Sequence, residues 1–306
     1  MKKLIIIVPY FGSRPKWFDF YMASCAKNPD IDFLLVTDFP IDHKPTNVIH
    51  LQKAFPEYKS FIAKKLEINP QWDEPYKLCD LKPALGYLHL DIVRNYQFFG
   101  YSDLDLVYGN VLEQYDSLMA ENDVISSHTY LMAGHFAVYR TMKETLTLFS
   151  RVPAWRKAFS IKNHLHFDEI VMSNLLMPAV NRMEMKFAPQ YSFIKTLDAK
   201  NLKILFKEQF TTFNRNYLLP NGNLTRPTQW VWNKGELSND VMDKKLIYAH
   251  FSLWNSGKWG DTADVECGAW HKNKQTTFHS LPYDDITCFC ISANGFKLGM
   301  PSTATA

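Results

Sequence analysis

Long hydrophobic runs are missing from this sequence. LIIIV at 4–8 stops at Pro9, far short of the ~18 apolar residues that cross a bilayer. The same proline cuts short the apolar core that MKKLIIIVPYFG would need as a secretory leader, and no small-residue cleavage site follows. The expectation is a cytoplasmic protein, with at most peripheral contact at the inner face of the cytoplasmic membrane. Cysteine is also scarce: Cys25, Cys79, Cys267, Cys288 and Cys290 are odd in number and scattered, with no CxxC spacing. That excludes a disulfide framework or a structural zinc site and fits a reducing compartment. CFC at 288–290 reads as two buried thiols. Charge of one sign is lacking as well. A net charge of +3, with no Lys/Arg run, excludes nucleic acid as a partner. Finally, no Walker loop, GxSxG, HExxH or GxGxxG occurs, so P-loop, hydrolase and dinucleotide chemistries lack their key residues.

What is present is an ordinary globular composition. Hydrophobic residues make up 46% and charged residues 21% of 306, enough for one large domain or two small ones. Aromatics reach 15%. Most should pack a core, and some are candidates to line a carbohydrate cleft, since sugar C–H faces stack on rings. Along the chain, apolar strands at 3–13, 31–38, 48–51 and 96–102 alternate with helical stretches at 14–29, 58–68 and 80–95. This alternation predicts an α/β fold with a mostly parallel sheet. A helix after Asn110, strands at 124–127 and 135–139, a helix over 168–177, a hairpin at 228–237 and a strand at 246–254 follow. Ligands of such sheets bind outside the carboxyl ends of the strands. Pro9–Ser13, Asp38 and Asp103–Asp105 all fall at such ends.

FFGYSDLDLVYGN at 98–110 sets two aspartates, Asp103 and Asp105, at the end of a buried strand. Like charges so placed imply a positive partner. With 20 aspartates in 306 positions, about one D-x-D arises by chance, and Asp30/Asp32 is such a bystander at a turn. The 103/105 pair lies instead at the ligand end of the sheet, where hard oxygen ligands suit Mg²⁺ or Mn²⁺ and, through it, a diphosphate.

A strand ending in VTD, followed later by strand–DxD–short helix, resembles the GT-A glycosyltransferases. These bind a nucleotide sugar through a divalent cation. Three more segments extend the resemblance to family-8 and family-32-like enzymes. YKLCDLKPALGYL at 76–88 corresponds to the helix that reaches the ribose and diphosphate, which implies roles for Lys77, Asp80 and Lys82. YAHFSLWNSGKWG at 248–260 supplies His250 as a third metal ligand and Lys258 as a diphosphate contact. HLHFDEIVMSN at 164–174 places Asp168, with Glu169 as runner-up, beside the reacting sugar, and His135 reads as a packed histidine near it. FFGYSDLDLVYG also matches a signature of small bacterial surface-polysaccharide transferases.

The resemblance therefore implies a Rossmann-like GT-A domain over 1–260, with a nucleotide-sugar half (1–110) and an acceptor half (111–260), and a C-terminal extension over 261–306. The implied reaction is transfer from a nucleotide sugar, UDP-linked by preference, to a glycan or lipid-linked glycan acceptor in capsule, lipopolysaccharide or exopolysaccharide synthesis. Asp103, Asp105 and His250 would hold Mn²⁺ or Mg²⁺. Pro9, Tyr10, Phe11 and Asp38 would meet the nucleoside, and Lys77, Asp80, Lys82, Asp103 and Lys258 the ribose or diphosphate. Asp168 and Glu169 would act at the transferred sugar, with retention of configuration leaning ahead of inversion. Two alternatives stay open: a sugar-phosphate nucleotidyltransferase, for which VPYFGSRPK is a poor phosphate loop, and a non-catalytic nucleotide-sugar-binding module.

Overall fold

The computed structural model describes residues 2–177, 202–212, 217–218, 224–242, 244–255, 269–272 and 281–300. Strand β1 (Leu4–Tyr10) leads into helix α1 (Phe18–Ala26), then β2 (Ile31–Thr37), β3 (Val48–Gln52) and helix α2 (Phe55–Leu66). After a run of short helical turns come β4 (Phe98–Ser102), β5 (Leu106–Tyr108), the helix Val111–Glu121, β6 (Val124–Ser126) and β7 (Phe136–Arg140). With β8 (Ile204–Phe206) they build a seven-stranded sheet in the order β3-β2-β1-β4-β7-β6-β8. All of its neighbours run parallel except the two that β7 makes, with β4 and with β6.

LIIIV is uninterruptedly apolar because β1 is covered on both faces. Ile5 and Ile7 point into one core with Leu34, Val36, Phe99 and α2. Leu4, Ile6 and Val8 point into another with Phe33, Leu35, Phe98 and α1. Helix α1 is itself buried nearly all round. Phe18, Tyr21 and Met22 face the sheet, while Phe20 and Ala23 face a third core of Trp230, Trp232, Phe289, Ile291 and Phe296. That third core belongs to an outer antiparallel sheet. The hairpin Gln229–Asn233/Glu236–Asn239 pairs with Cys288–Ser292, which pairs with Gly295–Leu298. Residues 288–298, expected in a C-terminal extension, are thus packed into the body. Of the CFC thiols, Cys290 is buried and Cys288 half-buried.

Three expected elements differ. The helix over 80–95 is broken into turns at Leu78–Leu81, Lys82–Ala84, Leu85–Leu88 and Leu90–Val93. Pro83 lacks the N–H that a continuous helix needs. The strand over 246–254 is shorter: Tyr248–His250 pairs antiparallel with β5, Leu106 opposite His250, and a helical turn Ser252–Asn255 follows. The helix over 168–177 is a π turn at Phe167–Val171 running into Met172–Leu176. His166 opens it in the left-handed region (φ 52°). Wide turns and strained φ values of this kind gather at functional sites.

Candidate active site

The carboxyl ends of β1, β2 and β4 meet the 248–250 strand at one place. The Asp103–Asp105 turn between β4 and β5 is pinned along its backbone. Asp103 N–H donates to the His135 carbonyl (3.0 Å), Trp17 Nε1 to the Leu104 carbonyl (2.9 Å) and Phe251 N–H to the Asp105 carbonyl (3.2 Å). Ser102 Oγ donates to the Asp103 carbonyl and accepts from Tyr108 Oη. Leu104 between them is buried, whereas Asp103 and Asp105 are both part-exposed.

Each carboxylate has its own partner. The Lys82 ammonium, buried, is ion-paired with Asp103, lies 3.6 Å from Asp168 Oδ2 and donates to the Gly134 carbonyl at 2.8 Å. Asp105 Oδ1 lies 3.6 Å from His250 Nε2. One ligand atom from each of Asp103, Asp105 and His250 falls within 4.8 Å of the others. Burial raises the Asp103 carboxyl, with Asp105 adding to it, against the opposing pull of Lys82. Burial acts the same way on Asp105, yet His250 and Lys82 outweigh it and hold Asp105 below the usual carboxylate range. Burial would also lower Lys82, but Asp103 and Asp168 keep it firmly charged.

The nucleoside candidates lie alongside. Gly12, at φ 125°, donates its N–H to both Asp38 oxygens (3.0 and 3.1 Å), joining the loops after β1 and β2. Tyr10 Oη donates to the Ser13 carbonyl (3.2 Å), and burial, then the Asp105 and Asp38 carboxylates, push this hydroxyl up. Phe11 is buried against Phe55 and Tyr58. Pro9, the penultimate residue of β1, is half-buried. Lys258 lies outside the described residues.

On the other flank, Asp168 and Glu169 stand over Gly134. A Cβ there would meet Asp168 Oδ2 at 2.7 Å and Glu169 Oε1 at 2.8 Å, so only glycine admits both carboxylates. Burial, with Glu169 and Asp80 adding to it, drives Asp168 well above the usual range despite Lys82. Burial would raise Glu169 too, but the His166 hydrogen bond and Lys82 prevail and lower it. Two adjacent carboxyls are thus pushed in opposite directions, which is the condition for giving them different proton roles.

Lys77 and Asp80 take another place than the one the family resemblance implies. Both are buried. Lys77 Nζ bonds Asp80 Oδ2 (2.6 Å) and the Ala158 carbonyl (2.9 Å), and Asp80 accepts the N–H groups of Leu165 and Phe167. The pair ties down the chain that carries Asp168, and Asp80 also brings a carboxylate oxygen within 4.8 Å of ligand atoms of His164 and Asp168.

Sequence reading missed the surroundings of His250. His135 stacks on it, centroids 4.0 Å apart and planes 15° apart, and hydrogen-bonds Tyr248 Oη through Nε2 (2.9 Å). Burial, with His250 and His128 nearby, holds His135 well below the usual imidazole range, hence neutral. The one available signal was the period of two, which puts Tyr248 and His250 on the same face of their strand. Tyr76, ring against His164 (4.9 Å), and Tyr130, ring against His128 (5.5 Å), are exposed.

The profile of a family of unknown function (DUF6625) matches residues 6–296. The chain belongs to this family. No curated protein matches the sequence. Among solved structures, this DUF6625 member superposes on an active-site mutant of LgtC with a TM-score of 0.40 at 10% identity, covering 87% of this chain and 91% of that one. The galactosyltransferase LgtC with donor and acceptor sugar analogues gives 0.32 at 10% identity, over 53% and 68%. The glycosyltransferase GlyE of Streptococcus pneumoniae TIGR4 gives 0.32 at 11%, over 66% of this chain and 47% of that one. Mouse xyloside xylosyltransferase 1 gives 0.33 at 11%, over 55% and 79%. Among the described residues, no helix is long and apolar enough to cross a membrane.

Proposed function

We propose that this chain is a metal-dependent glycosyltransferase that moves a sugar from a nucleotide-sugar donor, UDP-linked by preference, to a glycan acceptor. One observation carries the reading. Asp103 and Asp105, just past the carboxyl end of β4, and His250, distant in sequence, bring ligand atoms within 4.8 Å of one another. The donor set fits Mn²⁺ or Mg²⁺, with two hard carboxylates and one borderline imidazole. A bound cation of this kind would supply charge neutralisation for a departing diphosphate.

The chain's own residues complete the reading. Asp38 and the Gly12 loop shape the nucleoside end, and Tyr10 leads from there to Asp105. Lys82 pairs with Asp103 and counters the upward push of burial on its carboxyl. Asp168 and Glu169 face the transferred sugar, one protonated more readily than the other, so the pair can hold and move a proton. Tyr76 and Tyr130 offer exposed rings on which a sugar C–H face can stack. Lys258 remains part of the proposal as a diphosphate contact. The implied setting is cytoplasmic assembly of a surface polysaccharide, with a glycan or lipid-linked glycan as acceptor.

The test is calorimetric titration of UDP in the presence and absence of Mn²⁺. Binding should require the cation and be lost in a folded Asp105→Asn variant. UDP affinity indifferent to both would sink the reading. Pyrophosphate release from nucleoside triphosphate and sugar phosphate would convert it to nucleotidyl transfer.

A further inference from the structure

An imidazole that serves a cation normally donates its second ring N–H to an outer acceptor, which fixes its plane and tautomer. His250 breaks this pattern. Its Nδ1 is buried and has no hydrogen-bond partner among the described residues. What meets the ring instead is the flat face of His135, 4.0 Å away and 15° from parallel.

We infer that His135 is a positioning residue for His250, holding by stacking the plane in which its imidazole faces Asp103 and Asp105. The inference rests on the reading of that trio as a cation site. His135 is well fitted to the task because it is itself immobilised. Its Nε2 is hydrogen-bonded to Tyr248 Oη (2.9 Å), and that hydroxyl is also bonded to Ser127 Oγ. Tyr248 lies two residues before His250 on the strand that pairs with β5, so both ends of the linkage belong to one rigid ladder. On its other side, His135 meets the edge of the His128 ring (centroids 5.0 Å, 61°). Its backbone takes part too, since the His135 carbonyl accepts the Asp103 N–H (3.0 Å). One buried residue therefore sets the position of two members of the trio, Asp103 through its main chain and His250 through its ring. A parallel ring at van der Waals distance forbids the His250 side chain to swing toward His135, which a missing Nδ1 acceptor would otherwise allow.

The experiment measures Mn²⁺ binding by calorimetry and by the electron paramagnetic resonance of free Mn²⁺. It compares the wild type with His135→Ala, His135→Leu and His135→Phe, each checked for thermal stability. Truncation to alanine should weaken Mn²⁺ at least about tenfold, the size of loss seen when an outer partner of a ligating histidine is removed. Phenylalanine restores the flat ring without the Tyr248 bond and should return affinity to within about threefold of wild type. Leucine fills the volume without a plane and should resemble alanine. A purely structural role would lower the melting temperature of all three and leave Mn²⁺ affinity of the folded protein unmoved, which would overturn the inference. Leucine binding as well as phenylalanine would overturn it equally, and that comparison stands if the alanine variant fails to fold. A wild type that binds neither Mn²⁺ nor Mg²⁺ would instead sink the cation site itself, and the positioning role with it.

Discussion

The ammonium of Lys82 is bonded to the carboxylate of Asp103 inside the protein. Lys82 also reaches Asp168 (3.6 Å) and the Gly134 carbonyl (2.8 Å), so one ammonium links the Asp103–Asp105 turn to the segment that carries Asp168. The repulsion expected between Asp103 and Asp105 is opposed from within the chain: Lys82 pairs with one carboxylate and His250 lies beside the other.

Removing that ammonium should cost both stability and function. Lys82→Met leaves two carboxylates facing each other in a poorly hydrated site, and breaking a buried pair costs roughly 3–5 kcal/mol. The part-exposure of Asp103 puts the expected loss at the low end. Urea unfolding of the variant should show a lower midpoint with an unchanged slope. A midpoint equal to wild type would mean that Asp103 is neutral without its partner.

Gly134 offers a probe of Asp168 and Glu169 that alters neither side chain. In Gly134→Ala the new Cβ would lie 2.7 Å from Asp168 Oδ2 and 2.8 Å from Glu169 Oε1, so both must move. Displacements near 1 Å cost on the order of 100-fold in rate when the displaced groups touch the reacting atoms. We expect kcat of transfer to fall by about that factor, with metal-dependent UDP affinity within about threefold of wild type. Equal losses in both would remove the two carboxylates from the reacting sugar.

Asp80 tests a role in folding. Its carboxylate is fully buried and holds Lys77 and the N–H groups of Leu165 and Phe167. Asp80→Ala leaves a buried ammonium without its counter-ion, again roughly 3–5 kcal/mol. Hydrogen exchange should quicken at Leu165 and Phe167 ahead of the β1 and β4 amides. Uniform exchange rates across all four segments would show that the tie is not local.

Stability should fall in mild acid through His89. Burial, then Lys65 and Lys53, lower this imidazole to about 4 from 6.5, and Tyr58 Oη hydrogen-bonds its Nε2. The folded protein keeps His89 neutral where the unfolded chain protonates it, so unfolding takes up a proton between those values. Its contribution is whole above pH 6.5 and is lost as pH drops toward 4, roughly 3 kcal/mol across the window. Thermal unfolding at pH 7 and 5 should show a smaller drop for His89→Gln than for wild type, and parallel drops would contradict the assignment.

The sheet was legible because its strands are apolar on both faces: LIIIV and FFGYS could be placed by pattern alone. The Asp103/Asp105 pair was legible by position, since it follows such a strand. The bystander Asp32 sits at the opposite end of β2, bonded to Lys2 and Tyr96. His250 was singled out by the order of residues in the family resemblance, and the fold sets its ring 3.6 Å from Asp105. What stayed hidden was pairing across long separations. Nothing local distinguishes Lys82, which pairs with Asp103, from Lys77, which pairs with Asp80 five residues earlier in the chain. The stacking of His135 on His250 depends on β5 meeting the 248–250 strand, and periodicity carries no record of that register.

That register also has a consequence for biosynthesis. Leu106 waits opposite His250 across nearly half of the polypeptide, and closing so distant a pairing is slow. A ribosome will release the two aspartates, and the lysine that quiets them, well before the imidazole exists. The nascent chain can begin its central layer early, but the Asp103–Asp105–His250 trio closes only after residue 250 has been added.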